Sequence, residues 1–148
     1  MRHRTRLEIR FPPSDPCGCE VCLAYCRRPG WWTVREAARA IDAGLGRRMM
    51  LEPSPNRTFG VLSPAFRGNE GYYALNDFAG GGCNFLTPDN RCELFGTGLQ
   101  PLECRFCHHA RRGEGPTCHR ALEKDWDSHA GRTLVGRWAA AAGLKWPV

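Results

Sequence analysis

Nine cysteines, gathered into two clusters, are the feature that most restricts how this chain of 148 residues can fold. The first cluster contains Cys17, Cys19, Cys22 and Cys26. The second contains Cys83, Cys92, Cys104, Cys107 and Cys118. So many cysteines in a small chain have three explanations: disulfide bonds, metal ligation, or buried thiols that pack as small hydrophobic side chains.

The N-terminal sequence and the arrangement of the cysteines favour metal ligation. Residues 1–16 carry charges at short intervals and lack the apolar segment of a secretory signal peptide. We therefore expect a cytoplasmic protein in a reducing compartment, with no transmembrane helix. An odd number of cysteines suits a closed disulfide framework poorly. Thiols that only filled a core would also not be clustered in this way.

Two of the cysteine spacings are those with which a tight turn presents two sulfurs to one metal ion. They are Cys19-x-x-Cys22 and Cys104-x-x-Cys107. Because His108 follows, the second spacing also matches the C-x-x-C-H pattern of c-type haem attachment. That attachment takes place outside the cytoplasm, so the expected location argues against haem and in favour of a metal ion.

The residues around Cys83 and Cys92 predict a loop that brings these two thiols together. Three glycines, at positions 80–82, precede Cys83, and glycine lets the backbone approach a metal without a clash from Cβ. Residues 87–90 are Thr-Pro-Asp-Asn, a sequence typical of a turn. A turn there would fold Cys92 back towards Cys83.

Three histidines lie beside the second cluster: His108, His109 and His119. Imidazole is a good zinc ligand, so one of them can replace a thiol or form a hydrogen bond to a ligand. The alternative for each is an ordinary surface or hydrogen-bonded histidine. The sequence leaves this choice open.

The clearest helix signal follows the first cluster. Thr33 and Glu36 have the spacing of a capping box, in which each side chain binds the backbone amide of the other residue. The apolar residues that follow recur at helical spacing: Val34, Ala37, Ala38, Ile41 and Leu45. Gly44 or Gly46 is expected to end this helix.

Strand signals are short and scattered. Alternating apolar residues at 7–11 predict a short strand or an extended arm, and residues 58–62 and 72–75 are further candidates. Seventeen glycines and eleven prolines predict that loops make up an unusual share of the chain.

Together these signals predict a small and irregular fold of the mainly α class, with two to three helices packed around metal-organised cysteine-rich loops and at most short strands. We expect a single domain, residues 1–148, with a metal-binding region at 17–118 and C-terminal helices at 119–148. Gly131 is expected to separate the last two helices, and Gly143 to end the second.

Four segments resemble, in the same order, a cysteine-cluster family named after the signature C-x-x-C-x-x-C-C (YkgJ-like), which is described as zinc- or iron-chelating. The similar segments are residues 19–30 (CEVCLAYCRRPG), 81–86 (GGCNFL), 90–95 (NRCELF) and 100–105 (QPLECR). With the resemblance as a guide, the expected inner ligands are Cys19, Cys22, Cys26, Cys83, Cys92 and Cys104. The further candidates are Cys17, Cys107 and Cys118.

The sequence departs from the family pattern at two positions. Tyr25 replaces the first cysteine of the C-C pair, and Gln100 replaces the usual arginine. The missing thiol can be supplied by Cys17, Cys107 or Cys118. The family's ligand set therefore cannot be transferred to this chain as a whole.

The metal and the function are predicted only in outline. Thiolates bind zinc, which we prefer, and they also bind iron or an iron–sulfur cluster. The resemblance supports both, since enzymes that methylate flagellin lysines carry a related cysteine cluster linked to iron–sulfur chemistry. We expect a non-catalytic or accessory metal-binding protein. The alternatives are an iron–sulfur component of a modifying enzyme, such as a methyl-transfer enzyme, and a zinc-stabilised nucleic-acid or protein-binding module.

The positive charge of the chain is weak evidence for nucleic-acid binding. The formal charge of +6 treats every thiol as neutral. A tetrathiolate zinc site carries about −2, so two such sites would lower the charge to roughly +2. The basic residues are also scattered along the chain. We therefore expect a metal ion as the partner, leave a protein partner open, and expect neither nucleic acid nor a membrane.

Overall fold

Helices dominate residues 5–75 and 82–147, the part of the chain that the computed structural model describes. The six described helices are α1 (Arg6–Arg10), α2 (Glu20–Arg27), α3 (Val34–Asp42), α4 (Leu102–Phe106), α5 (Gly115–Trp126) and α6 (His129–Ala142). Two strands, β1 (Met49–Pro53) and β2 (Gly60–Pro64), form the sheet. This fits the mainly α class, with more helices than the two or three expected. None of the helices in the described part has both the length and the apolar composition needed to cross a membrane.

The capping box before α3 is present as predicted. The hydroxyl of Thr33 accepts a hydrogen bond from the amide of Glu36 (3.0 Å), and the Glu36 carboxylate accepts one from the amide of Thr33 (3.0 Å). The helix ends at Asp42, shortly before Gly44, whose φ of +92° is unfavourable for other residues. Its buried face, which includes Ala37 and Ala40, belongs to the hydrophobic core.

The sheet is a single antiparallel pair with Leu51 opposite Leu62. All five residues of β2 are buried. The predicted strand at 58–62 is thus displaced to Gly60–Pro64, and β1 was not predicted. The candidate at 72–75 forms only an isolated bridge between Tyr73 and Leu51.

The last two helices form the other side of the core. The fully buried Trp126 of α5 donates a hydrogen bond to the carbonyl of Trp32 (2.8 Å). The break between α5 and α6 lies at residues 127–128, so the prediction that Gly131 separates them is wrong. Ser128 begins α6 because its hydroxyl accepts a hydrogen bond from the Gly131 amide (3.1 Å). Gly143, at a φ of +73°, ends the helix as predicted.

Residues 6–10 form a helical turn, which corrects the prediction of a strand or extended arm. The hydroxyl of Thr5 caps the turn by accepting a hydrogen bond from the amide of Glu8 (3.2 Å). Phe11, just after the turn, is buried with its ring edge-on to Phe106 (5.2 Å between centroids). One turn of helix is too short for its apolar residues to show a helical period.

One buried carboxylate joins the core to the cysteine-bearing segments. Besides capping α3, Glu36 accepts a hydrogen bond from the Leu102 amide (3.1 Å) at the start of α4. Its other oxygen forms an ion pair with Arg105 (2.7 Å). Because α4 carries Cys104, Glu36 fixes the position of that cysteine relative to α3.

Candidate metal centre

Three cysteine sulfurs surround one histidine nitrogen at the N-terminus of α2. The Sγ atoms of Cys17, Cys19 and Cys22 lie 3.6, 3.5 and 3.5 Å from Nδ1 of His109. The backbone amide of His109 also donates to Cys22 Sγ (3.4 Å). We call these four residues the first site. Sulfurs and nitrogen therefore converge on one point, from positions about ninety residues apart.

The local fold of residues 17–22 presents the three thiols together. Cys19 is the N-cap residue of α2 in an extended conformation, and Cys22 lies within the first turn of the helix. Cys22 is buried, whereas Cys17 is half-buried and Cys19 is exposed. The predicted Cys19-x-x-Cys22 pair thus lies at the start of a helix. The side of the site that carries Cys19 is open to solvent.

Hydrogen bonds on the N-terminal side of the first site hold its two chain segments together. The amide and hydroxyl of Ser14 donate to the carbonyls of Arg105 (2.8 Å) and Phe106 (2.7 Å). The guanidinium of Arg111 donates to the carbonyl of Pro12 (2.7 Å). Residues 12–14 are therefore bound to residues 105–111, which places Cys17 beside the turn His109–Arg111.

His108 lies beside the first site and gives an overlapping set of possible ligands. One ligand atom from each of Cys17, Cys22, His108 and His109 can be chosen so that all lie within 4.8 Å of one another. The two imidazole rings are 4.1 Å apart. Nδ1 of His108, however, accepts a hydrogen bond from the Ala110 amide (3.1 Å), so only its Nε2 is left for a metal.

The thiols of the first site differ in how easily they ionise. The backbone amide of Cys22 lowers the pKa of Cys19 to about 6. Burial raises the pKa of Cys22 to about 11. A bound divalent cation favours the thiolate form of every coordinating cysteine, so it would overcome the difference between the two.

The four remaining cysteines of the predicted inner set line a separate small cavity. Its volume is about 20 Å³. We call this group the second site: Cys26, Cys83, Cys92 and Cys104. Members of both sites also border an open cavity of about 920 Å³. Of the six predicted inner cysteines, two thus belong to the first site and four to the second.

Two backbone features bring Cys83 and Cys92 to the end of α2. The amide of Cys83 donates to the carbonyl of Arg27 (3.0 Å), the residue that follows Cys26. The predicted turn at 87–90 is present, with Asn90 in the left-handed region at a φ of +63°. It pairs Leu86 with Cys92 in an antiparallel bridge. Of the glycines at 80–82, only Gly82 lies within the described residues.

Cys104 can lie at the second site because Gly30 has no Cβ and so leaves room for its side chain. A Cβ at Gly30 would lie 2.6 Å from Sγ of Cys104 and 2.9 Å from its backbone nitrogen. The next residue, Trp31, accepts a hydrogen bond from the Glu103 amide (3.2 Å) and donates one to the Glu103 carboxylate (2.9 Å). These bonds hold the end of the 19–30 segment against α4.

The four thiols of the second site lie close enough to affect one another electrostatically. Burial raises the pKa of Cys83 to about 11 and that of Cys104 well above its usual value. Negative charge on Cys83 and Cys92 raises the pKa of Cys104 further, and charge on Cys92 does the same to Cys26. Such mutual repulsion is expected where several thiols point into one cavity.

The other predicted site residues lie around Glu103. Burial, followed by the charge of Glu103, raises the pKa of Cys107 and of the fully buried Cys118 to about 12. His119 binds the Glu103 carboxylate through Nδ1 (2.8 Å), and its ring stacks on Trp31 at 3.9 Å. His119 is thus a hydrogen-bonded histidine, which is one of the two roles that the sequence left open for it.

Sequence reasoning identified the nine cysteines and three histidines as candidates but did not distinguish their roles. Cys104 and Cys107 have the spacing of a metal-binding turn, yet Cys104 lies within helix α4 and only Cys107 follows it. His109 was one of three equal candidates. No sequence signal separates His109 from His108, because both follow α4. The choice depends on the hydrogen bonds that hold α4 to Ser14.

Comparisons of this chain with protein-family models, with curated proteins and with solved structures find no match. The resemblance to the C-x-x-C-x-x-C-C family therefore stays a prediction from the motifs. What the described residues show directly is a group of cysteines and histidines near enough to one another to hold a metal ion.

Proposed function

We propose that this chain is a metal-binding protein and that its first site holds one zinc ion through Cys17, Cys19, Cys22 and His109. The observation that carries the proposal is the near equality of three distances, 3.5–3.6 Å, from three sulfurs to one imidazole nitrogen. A thiol–imidazole hydrogen bond would account for one such distance. Three of them to the same nitrogen suggest a common centre.

The distances agree with those of a tetrahedral zinc site. With Zn–S bonds of about 2.3 Å and Zn–N bonds of about 2.0–2.1 Å at tetrahedral angles, sulfur and nitrogen ligands stand about 3.6 Å apart. The three measured separations lie within about 0.1 Å of that value.

A four-residue site of this kind suits a structural role. Cys₃His is one of the common closed zinc sites, in which protein ligands occupy all four positions and none is left for substrate. We therefore favour a non-catalytic function in which the ion fixes residues 17–22 to the turn at His109. The iron–sulfur component that the family resemblance also suggests would instead need redox-active iron and sulfide.

Metal analysis with matched histidine variants tests the proposal. Protein purified under anaerobic conditions is expected to be colourless and to contain tightly bound zinc. Elemental mass spectrometry measures the zinc. His109→Ala should weaken zinc binding at the first site more than about 100-fold, beyond the effect of losing a residue that only supports a ligand. His119→Ala is the control, because His119 pairs with Glu103. Folded protein without metal, or a brown protein with acid-labile sulfide, would contradict the proposal.

A second pair of variants decides between the two overlapping ligand sets. If the ligands are Cys₃His, Cys19→Ser should weaken binding and His108→Ala should leave it nearly unchanged. If they are Cys17, Cys22, His108 and His109, the order reverses. We expect the first result, since Cys19 lies as close to His109 Nδ1 as Cys22 does.

A further inference from the structure

We propose that Cys19 is a site of thiol modification, and that His108 takes its place on the zinc ion once Cys19 is modified. The modifying partner is a small disulfide or another soft electrophile that can reach an exposed sulfur. The inference rests on the proposed function, since it concerns the zinc ion of the first site. It gives that site one reactive ligand and one replacement ligand.

The first site has five donors for the four positions of a tetrahedral zinc ion. Three of them belong to both possible ligand sets: Cys17, Cys22 and His109. The fourth position can be filled by Cys19, whose sulfur lies 3.5 Å from Nδ1 of His109. It can also be filled by His108, which completes a set of ligand atoms within 4.8 Å of one another without Cys19. The two sets therefore differ by a single exchange, Cys19 for His108.

Cys19 is the ligand that a reagent in solution can reach most easily. It is the only exposed residue among the nine cysteines, all of which lie in the described part of the chain. A Cβ placed on Gly18 would have no atom within 4 Å, so the backbone before Cys19 is surrounded by open space. Cys17 is half-buried, and Cys22 is buried and accepts a hydrogen bond from the amide of His109 (3.4 Å). Modification is therefore expected at Cys19 before either of the other two.

His108 lies beside the site and has one hydrogen bond that competes with metal binding. Its ring is 4.1 Å from that of His109, between centroids. Nδ1 of His108 accepts a hydrogen bond from the Ala110 amide (3.1 Å). A neutral imidazole has one free lone pair, so His108 must give up this bond in order to bind zinc. The loss of that bond explains why Cys19, and not His108, is the expected ligand in the unmodified protein.

Exchange with a small disulfide, such as oxidised glutathione, needs no other reactant. The sulfur of Cys19, a thiolate while it binds zinc, attacks one sulfur of the reagent. A new S–S bond joins Cys19 to one half of the reagent, and the other half leaves as a thiolate. His108 then takes the position that Cys19 has left. Its ring is neutral before and after, so the protein neither gains nor loses a proton.

The exchange preserves a closed zinc site. Both Cys₃His and Cys₂His₂ sets occur in structural zinc sites, with protein ligands in all four positions. The net charge of the centre changes from about −1 with three thiolates to about 0 with two. Residues 17–22 stay joined to the turn at His109. Modification therefore alters the surface at the start of α2 without release of the metal.

Limited modification of the whole chain tests the inference. Zinc-bound protein is treated with one equivalent of iodoacetamide and, in a parallel sample, with oxidised glutathione. Peptide mapping should find the first adduct at Cys19, and native mass spectrometry should show that the modified protein keeps its zinc. X-ray absorption at the zinc edge should change from three sulfurs and one nitrogen to two of each.

His108→Asn separates the replacement ligand from its hydrogen bond. Asparagine can accept the hydrogen bond of the Ala110 amide as His108 does, but it is not a usual zinc ligand. The variant should react at Cys19 as the wild type does and should then release its zinc to a colorimetric chelator. His119→Ala is the control and should keep its zinc after modification, because His119 pairs with Glu103.

A double substitution tests the same exchange without any reagent. Cys19→Ser should weaken zinc binding by less than about 100-fold, because His108 can fill the vacant position. Cys19→Ser/His108→Asn should weaken it by more than about 100-fold. His108→Asn alone should have little effect, so the two substitutions are expected to be strongly non-additive. Additive effects would overturn the exchange.

The outcomes separate failure of this inference from failure of the proposed function. Untreated wild type without zinc would overturn the proposed function, and the exchange with it, before any reagent is added. Zinc-bound wild type that loses its ion as Cys19 is modified would overturn the exchange alone. Retention of zinc by modified His108→Asn would do the same, as would reaction of Cys17 or Cys22 ahead of Cys19.

Discussion

Two regions of the molecule differ in what holds them together. The helical core comprises residues 33–64 and 115–146, and the cysteine-rich region comprises residues 12–30 and 82–111. Large side chains of the core have almost no exposed surface: Trp126, Leu122, Leu62 and Val135. The cysteine-rich region contributes fewer large side chains to that core, among them Phe85, Leu102 and Phe106. It has two short helices, turns with positive φ, and cysteines that are mostly half-buried.

This difference indicates that the cysteine-rich region has a source of stability besides the shared core. Burial of an apolar side chain contributes about 1.5–3 kcal/mol, and the core buries many of them. The cysteine-rich region has short elements, such as the five-residue α4, which is far below the length of about 12–15 residues at which an isolated helix is even marginally stable. Metal ligation would add to the stability that this region obtains from packing.

The first site and the second site are neighbours on α2. Cys22 and Cys26 are four residues apart, so they lie on the same face of the helix with about 5–6 Å between their Cβ atoms. One belongs to the first site and the other to the second. Loss of the zinc ion from the first site is therefore expected to disturb α2 and the thiols of the second site.

Metal removal should affect the two regions unequally, and this is the largest effect we expect. Structural zinc contributes about 10–16 kcal/mol in small zinc-dependent domains. After treatment with a strong chelator, residues 82–111 should exchange their backbone amide hydrogens rapidly, while α5 and α6 stay protected. Hydrogen-exchange mass spectrometry measures both. An equal loss of protection in the two regions would contradict the separation we describe.

Trp126→Ala tests how much the helical core contributes to stability. The substitution removes a fully buried ring and its hydrogen bond to the Trp32 carbonyl, so the free energy of unfolding should fall by about 3–5 kcal/mol. Urea unfolding measures the change, and elemental analysis should show an unchanged metal content. Phe95→Ala is the control, since this ring is 61% exposed and its loss should change stability by less than about 0.5 kcal/mol. Loss of metal from the folded Trp126 variant would show that the core and the first site are not separable.

The features that the sequence predicted well depend on residues that are close together in the chain. The capping box of Thr33 and Glu36 and the turn at 87–90 involve contacts over three or four positions, and both are present. The helices α1, α2 and α4 span only five to eight residues, too few to show a clear helical period, and they were missed. The helices of nine residues or more were predicted.

The division of the cysteines could not be predicted, because it depends on contacts between distant segments. Cys26 has the same relation to Cys22 in sequence whether or not they share a metal ion. Its separation from the first site follows from the approach of Cys83 to Arg27 across more than fifty residues. In the same way, His109 joins the first site because Ser14 binds to α4. Nothing in the spacing of the motifs carries that information.

Gly30→Ala is expected to disturb the second site without changing a cysteine. Its Cβ would lie 2.6 Å from the sulfur of Cys104, so either the cysteine or the backbone must move. Overpacking of this kind costs about 1–3 kcal/mol. The free energy of unfolding, measured in urea, should fall by that amount, while the zinc of the first site should be released to a colorimetric chelator at its former rate. Gly18→Ala is the control, since a Cβ there has no atom within 4 Å.

The smallest expected effect lies at the boundary between the two regions, where His119 of α5 contacts Glu103 of the cysteine-rich region. The hydrogen bond to Glu103 raises the pKa of His119 above its usual 6.5. A histidine with a raised pKa stabilises the folded state fully below the pKa of the unfolded chain. This contribution is lost as the pH rises through the folded-state pKa.

His119→Gln should therefore lower the free energy of unfolding more below pH 6.5 than in alkaline buffer. Urea unfolding of both proteins at the two pH values gives the difference, and comparison at each pH cancels the effect of pH on the metal site. His129→Gln is the control, because His129 is exposed at the start of α6. Part of the loss should persist at high pH, since the variant also removes the stacking of His119 on Trp31. A loss of the same size at both pH values would mean that stacking alone, and not the charge on His119, joins α5 to the cysteine-rich region.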